Sequence, residues 1–472
     1  MNYYPVVVIG AGPAGLTAAY ELTKRNIKPV VLEKSDKIGG LARTEIYKGY
    51  RFDIGGHRFF TKIEEVKRLW QEMLGEDLIK VSRLSRIYYR GFFLNYPLEF
   101  FNALSSLGIM ESLQILASYF RSQLWPYRQE DTFEEWVCNR FGKRLYKKFF
   151  KTYTEKVWGI PCHAIRADWA AQRIKGLSLR TALMEALFGS HKTATLIKEF
   201  HYPLLGPGMM WQRFREVIES RGGEVQFNAS AARFNRDGRF IKSLVVRQKD
   251  KTFEIAGDHF ISSLPLTQLI FHLDPPPPTE VLTAASELSY RAFILVGLII
   301  NRSNLFPDNW IYVHSPEVKV GRIQNFKNWS PSMVPDPDKT SLGMEYFCNE
   351  GDNAWMLSNE ELIELATREL ASLGIAKIEE VEDGVVIRQP KAYPVYDSHY
   401  LKCLHTIQGF LATIDNLQTI GRNGMYRYNN QDHSMLTAML AVRNLFGEDH
   451  DLWNVNTDRS YYEEFSTETK KS

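Results

Sequence analysis

Cysteine is scarce in this 472-residue sequence: Cys138, Cys162, Cys348 and Cys403 stand far apart, and no CxxC pair occurs. That excludes a disulfide scaffold and a thiolate metal site, and it points to a reducing compartment, so a cytoplasmic location is expected. Long apolar runs are missing too. The longest, FILVGLII at 293–300, is far shorter than the roughly 20 residues of a membrane helix and reads as a buried strand. No basic segment followed by an apolar one opens the chain, because a strand and a glycine turn begin almost at once, so a signal peptide is not expected. Charge of one sign is not in excess: 58 Lys and Arg against 55 Asp and Glu leave a net +3. This balance gives no reason to expect nucleic acid as a partner. No internal repeat is visible.

What the chain has instead is a glycine-rich turn in VVVIGAGPAGL (6–16). Residues 6–9 read as a buried strand, 14–25 as a helix and 30–32 as a second strand, which makes one βαβ unit. Gly10, Gly12 and Gly15 form a GxGxxG between the first strand and the helix. The first permits the tight turn, the second lets backbone approach a pyrophosphate, and the third allows close packing of helix on strand. Glu33 ends the second strand 21 residues after Gly12 and can accept hydrogen bonds from ribose hydroxyls. Together these features predict a dinucleotide site at a helix N-terminus.

A second glycine pair, Gly39 and Gly40, opens GGLART (39–44) with Leu41 next, and a third, Gly55 and Gly56, precedes His57 in FDIGGHRFF (52–60). GGLART resembles the GGxxxT segment of flavoproteins with the amine oxidase type of fold, and FISSLP (260–265) resembles the strand that returns to their FAD domain. The resemblance favours FAD over NAD. It implies an α/β, multi-domain chain: a Rossmann-like FAD-binding domain, an inserted helical domain and a second, mostly antiparallel sheet. The expected division is a discontinuous FAD-binding domain (1–97, 196–272 and 402–450), a helical domain (98–195), a substrate-binding sheet domain (273–401) and a polar tail (451–472). The helical stretch at 98–187 and the proline run at 275–278 suggest those limits.

Separated motifs narrow the family. IGGH (54–57), NYPL (95–98), TFEEW (132–136), KVWGIP (156–161), WIY (310–312), AYPV (392–395) and NNQDHS (429–434) resemble, in order and over almost the whole chain, the eukaryotic-type UDP-galactopyranose mutases. The resemblance implies an enzyme that interconverts pyranose and furanose forms of a nucleoside-diphosphate hexose without net redox, for cell-surface polysaccharide synthesis. FAD is active there when reduced, N5 being the nucleophile at the anomeric carbon, and NAD(P)H is one candidate reductant. The partner is then a small nucleotide sugar; a homo-oligomer stays open.

By the same resemblance, His57 lies against the flavin near N5, and Arg173 (in WAAQRI) and Arg322 (in GRIQNF) hold the diphosphate, as suits permanently charged planar guanidiniums. Tyr312, Tyr393 and Tyr428 match tyrosines that donate to the diphosphate, the alternative for each being a core aromatic. Phe60, Tyr96 and Trp158 match aromatic residues around the base. Arg422 matches a flavin contact, and Asn430 with Gln431 matches residues at flavin and sugar. The polar segment GRNGMYRYNNQDHSM (421–435) would thus close the site over FAD, with Asp432 or Ser434 capping the helix that follows.

Several positions depart from that family. Glu99 stands in place of glutamine and Thr154 in place of asparagine where the base binds, and Lys62 replaces a usual histidine. An ionised carboxylate only accepts hydrogen bonds, whereas an amide also donates, so the base is left open. Gly206, Pro207, Gly208 and Met209 replace a GGTG loop. The rival reading is an FAD-dependent oxidoreductase of the protoporphyrinogen oxidase, amine oxidase or desaturase type. The amphipathic stretch 100–120 would suit its apolar substrate if it lay on a membrane, but such a stretch is more often a packed domain helix. Fixed cations beside the flavin speak against it.

Overall fold

The computed structural model describes residues 2–96, 108–167 and 198–456. Its first sheet grows from strand β1 (Asn2–Ile9), helix α1 (Pro13–Thr23) and strand β2 (Val30–Leu32). Val6 to Ile9 and Val30 to Leu32 are all at most 2% exposed, because helices cover both faces of this parallel core and leave no polar side for alternation. A Cβ on Gly15 would lie 1.8 Å from the Gly10 carbonyl oxygen, so α1 can rest on the turn only with glycine there. The sheet runs in the order Leu273–Asp274, Ala229–Asp237, Phe240–Gln248, Lys251–Ser262, β1, β2, Glu224–Gln226. Leu417–Thr419 pairs alongside the end of Lys251–Ser262. The chain therefore returns to β1 from a segment some 250 residues away, as FISSLP suggested, and Leu417–Thr419 joins the same sheet beside that segment.

The second sheet centres on Tyr290–Ile300, flanked by Val381–Pro394 and Thr340–Cys348, with Arg322–Asn325 and Trp310–Val313 beyond. This is the FILVGLII run. Ile294, Val296, Leu298 and Ile300 feed one apolar cluster, while Phe293, Leu295 and Ile299 feed another on the opposite face. Burial on both faces is why the sequence shows an unbroken apolar run instead of alternation.

One grouping differs from the expected division. Ser85–Tyr89 and Phe92–Asn95 belong to the second sheet, with Ser85–Tyr89 parallel to Trp310–Val313, although the sequence grouped residues 1–97 with the FAD segment. The reason is specific bonding. The Arg86 guanidinium forks onto the fully buried Asp308 (2.9 and 2.6 Å), and the Leu84 amide donates to Asn309 Oδ1 (2.8 Å). Neither partner is near in sequence.

The helical region contains α2 (Ile109–Leu124), a helix at Phe133–Phe141 and a continuous helical segment over 143–158. Thr132 and Glu135 form a reciprocal capping box before Phe133. Among the described residues no helix is long and apolar enough to cross a membrane, and no cluster of His, Cys, Asp or Glu could hold a metal ion.

Candidate active site

A single cavity of about 700 Å³ runs from the glycine turn of β1 to the second sheet. At its first end Gly10, Gly12, Gly40 and Leu41 form the wall. Gly12 is the N-cap of α1 and offers no side chain to the first-turn amides, which leaves these donors for an anion. A Cβ on Gly12 would meet Gly40 Cα at 3.7 Å, and one on Gly10 would lie 2.2 Å from Ser263 Oγ. Two glycine turns and a serine thus form a cradle that side chains would fill. Glu33 is buried on the same wall; its carboxylate accepts from the Ala11 and Ser35 amides (both 2.9 Å). Gly39 stands just behind, its amide bonded to the Ala11 carbonyl (2.8 Å), while Gly15 packs α1 on the turn. This donor-lined, side-chain-free cradle fits the pyrophosphate and ribose of FAD.

At the other end Gly55, Gly56, His57, Phe60, Tyr312, Arg322, Tyr393, Arg422, Tyr428, Asn430 and Gln431 meet, from segments far apart in the sequence. Arg322 lies on the second sheet and donates through Nε to Glu345, which is completely buried, and through Nη2 to the Tyr393 hydroxyl (3.4 Å). Burial opposes its charge, but Glu345 and the surrounding phenols prevail and hold it well above its ordinary range. Arg422 is fixed by the Asn429 carbonyl (2.9 Å), and its guanidinium lies over the rings of Tyr428 (4.6 Å) and Tyr393 (5.6 Å), themselves stacked at 5.7 Å. Burial pushes the Tyr393 hydroxyl up to about 12, against the pull of Arg322, so it stays a donor. Burial also lowers His57 to about 4, helped by Arg422 and Arg322, so the ring is neutral at pH 7. Its Nε2 lies 2.8 Å from the Ile54 carbonyl and so carries the ring proton.

Some expected residues do not reach the cavity wall. Thr154 and Trp158 are 5% and 4% exposed; Trp158 packs behind Tyr428 and against Tyr396. Tyr96 contacts the Tyr312 ring (4.7 Å) without lining the cavity. Arg173 and Glu99 lie outside the described residues. The loop at 206–209 is not in the wall either. It is clamped behind it: the Gly208 amide donates to Thr44 Oγ1 (3.0 Å), and Gly206 leaves no room for a Cβ beside Thr44 and Asp53. The last helix, α3 (Gln431–Leu445), has Asn430 as its N-cap, facing His433 Nδ1, so neither Asp432 nor Ser434 caps it. Asparagine caps as well as aspartate, and the helix starts two residues earlier than an Asp432 cap would give and four earlier than a Ser434 cap would.

The sequence reading missed Arg58, Trp310, Gln324 and Trp329, all in the wall. Gln324 is two residues beyond Arg322 on the same strand, and its Nε2 donates to Glu345 Oε1 (2.7 Å). Strand periodicity could have found it. Nothing local marks Trp329, and Arg58 is seen only from its place over the Trp310 ring (5.1 Å).

Behind the wall, Asp53 accepts from Thr44 Oγ1 (2.7 Å) and from the Tyr202 hydroxyl. Burial pushes its carboxyl from 3.8 up to about 7, although both bonds favour the anion. A folded pKa above the unfolded one means that its contribution is full below the unfolded value and is lost as pH rises through about 7. Three units correspond to at most about 4 kcal/mol. Asp53→Asn cannot titrate, so the stability difference between wild type and variant should move in the variant's favour by up to that amount between about pH 4 and about pH 8. Urea denaturation of both proteins across that range measures it; a constant difference would mean that Asp53 is ionised in the fold.

A βαβ cradle for FAD, returning strands that complete its sheet, and a polar cavity shared with a second sheet define a flavoenzyme with FAD as cofactor. The chain belongs to the flavin-containing amine oxidoreductase family, whose model matches residues 13–400. It is 24% identical over 289 residues to a Mycobacterium tuberculosis protein that carries the name flavin-containing monoamine oxidase AofH, covering 58% of this chain and 60% of that protein's length. It is 24% identical over 420 residues to coproporphyrinogen III oxidase of Mycobacterium leprae, covering 82% and 87%. The solved structure of a reduced UDP-galactopyranose mutase superposes with a TM-score of 0.83 at 22% identity, over 97% of this chain and 99% of that one. At that identity the likeness concerns the fold.

Proposed function

We propose that the protein is a nucleotide-sugar mutase that interconverts pyranose and furanose forms of a nucleoside-diphosphate hexose. The observation that carries this reading is the far wall of the cavity, which two guanidiniums and three tyrosines share with the neutral ring of His57. FAD bound in the cradle would supply a nucleophilic nitrogen when reduced. Gly10, Gly12, Glu33, Gly40, Leu41, Gly55, Gly56, Arg422, Asn430 and Gln431 would hold it. The buried Gln431 Oε1 has no hydrogen-bond partner, which leaves it as an acceptor for flavin or sugar.

The chain's own task is to keep a leaving group that departs and returns. Arg322 suits it. With Nε taken by Glu345 and Nη2 reaching Tyr393, its remaining donors point a fixed charge at a diphosphate without needing to reorganise. The Tyr393 phenol stays protonated and can donate to phosphate oxygen, as can those of Tyr312 and Tyr428. His57, neutral between two cations, adds no third charge that would hold the flavin end of the substrate too tightly. Arg173 would be the second diphosphate ligand. Trp158 would act on the base from behind Tyr428.

The oxidoreductase reading draws support from the names of the sequence relatives. One experiment separates the two: the purified protein is incubated with UDP-galactose and other nucleotide sugars, with flavin oxidised or reduced by dithionite, and products are separated by chromatography. A product of unchanged mass and altered retention, formed only with reduced flavin, is expected. No conversion, with flavin bleaching or peroxide release on an amine or porphyrinogen, would transfer the protein to the oxidoreductases.

A further inference from the structure

Large apolar side chains exposed on this molecule are concentrated in one place. Of the sixteen among the described residues, seven lie between residues 109 and 127: Ile109, Met110, Leu113, Phe120, Leu124, Trp125 and Tyr127. Such a concentration marks a contact surface, whereas scattered apolar residues do not. Ile109, Leu113, Phe120 and Leu124 fall at i, i+4, i+11 and i+15, one stripe along four turns of α2.

The opposite face of α2 is already committed. Ile115 and Tyr119 are buried against the neighbouring helices, and Gly142 packs so closely on the Tyr119 backbone that a Cβ there would lie 2.8 Å from its Cα. Gln123 and Tyr127 are tied to Asn139. The exposed stripe therefore sits on a rigidly docked helix, and its exposure is not a matter of a helix turned the wrong way.

Charge on the segment packed beside the stripe is predominantly positive. Residues 136–151 hold six Lys and Arg and no Asp or Glu. Arg144 and Lys148 turn inward to Glu111 of α2 (2.7 and 3.4 Å), which fixes the segment 143–158 next to it. Lys143, Lys147 and Lys151 recur every fourth residue and are exposed. Arg121 and Arg128 are exposed among the apolar residues, and Trp125 and Tyr127 follow the end of the helix. An apolar stripe, aromatic residues at its end and a lysine row at its side are the complement of an anionic bilayer surface. A soluble partner helix would need the stripe but would give no reason for the lysines.

We infer that α2 and the lysine row of 143–151 dock the protein on an anionic lipid surface, with α2 lying in the plane of the interface. The inference does not depend on the reaction proposed above. Its test is co-sedimentation of the full-length, FAD-loaded protein with vesicles of phosphatidylcholine alone and of an equimolar mixture with phosphatidylglycerol. Binding to the mixed vesicles is expected, weaker in high salt and weaker still on the neutral ones. The triple variant Lys143→Gln, Lys147→Gln, Lys151→Gln should lose about fivefold per lysine, hence about a hundredfold. Leu113→Gln, Phe120→Gln, Leu124→Gln should also lose binding. Both keep FAD content and thermal midpoint, since every changed side chain is exposed. Absence of binding to either vesicle, or binding that neither triple variant weakens, would overturn the inference. So would self-association in the ultracentrifuge that the apolar variant abolishes without vesicle binding in the wild type, since the stripe would then be an interface between copies.

Discussion

Arg322→Ala is expected to lower kcat/KM for the nucleotide sugar by about 10²–10³-fold, the usual effect of removing one preorganised charge-bearing donor, while FAD stays bound. A second effect comes with it. Glu345 is fully buried and takes Arg322 Nε and Gln324 Nε2 as its partners, so the variant leaves a carboxylate without its counter-charge. Breaking a buried pair in this way costs about 3–5 kcal/mol. The two effects separate in Arg322→Met combined with Glu345→Gln, where Gln324 can still bond the new amide. That double variant should recover most of the lost stability in urea denaturation and none of the activity. Recovery of activity with stability would assign Arg322 a structural role only, and loss of FAD from either variant would place it at the cofactor.

Gly15→Ala should give a colourless protein. The added Cβ would sit 1.8 Å from the Gly10 carbonyl oxygen and 3.3 Å from Val8 Cγ1, and the atoms in the way are backbone and strand core. Either α1 lifts off the sheet or the turn opens. Both displace the α1 amides and the Gly10–Gly12 backbone that would meet the pyrophosphate. Overpacking of this kind costs about 1–3 kcal/mol or more, and bound FAD no longer offsets it. Gly409→Ala is the control. Gly409 is exposed within the helix Tyr400–Leu411, and nothing lies within 4 Å of its Cβ position, so alanine should stabilise by up to about 1 kcal/mol. Flavin absorbance of the purified proteins and their thermal midpoints decide the matter; a yellow Gly15→Ala protein of wild-type stability would refute the close approach.

The FAD end of the site was legible because its determinants are local. A strand, a glycine turn, a helix N-terminus and an acidic residue at the end of the next strand follow within 33 residues, and each constrains its neighbour through backbone geometry. The buried strand FILVGLII was legible for the same reason: periodicity acts over a few residues. The substrate end was named by motif resemblance, position by position, and the residues that have no motif, Gln324, Trp329 and Arg58, went unseen.

What the sequence by itself determined is therefore the βαβ cradle and the chemistry of its glycines, where sterics within one turn leave a single solution. Tertiary structure decided the rest. Arg322 gains its orientation from Glu345, 23 residues away on a neighbouring strand, and Ser85–Tyr89 joins the second sheet because Asp308 binds Arg86 within it and Asn309 binds Leu84 just before it. Trp158 and Thr154 sit in the core and not on the cavity wall because the helical segment 143–158 turns its apolar face inward. His57 is neutral and Asp53 protonated to about pH 7 because of what is packed around them. Each of these is a matter of desolvation or of pairing in surroundings that only the folded chain assembles.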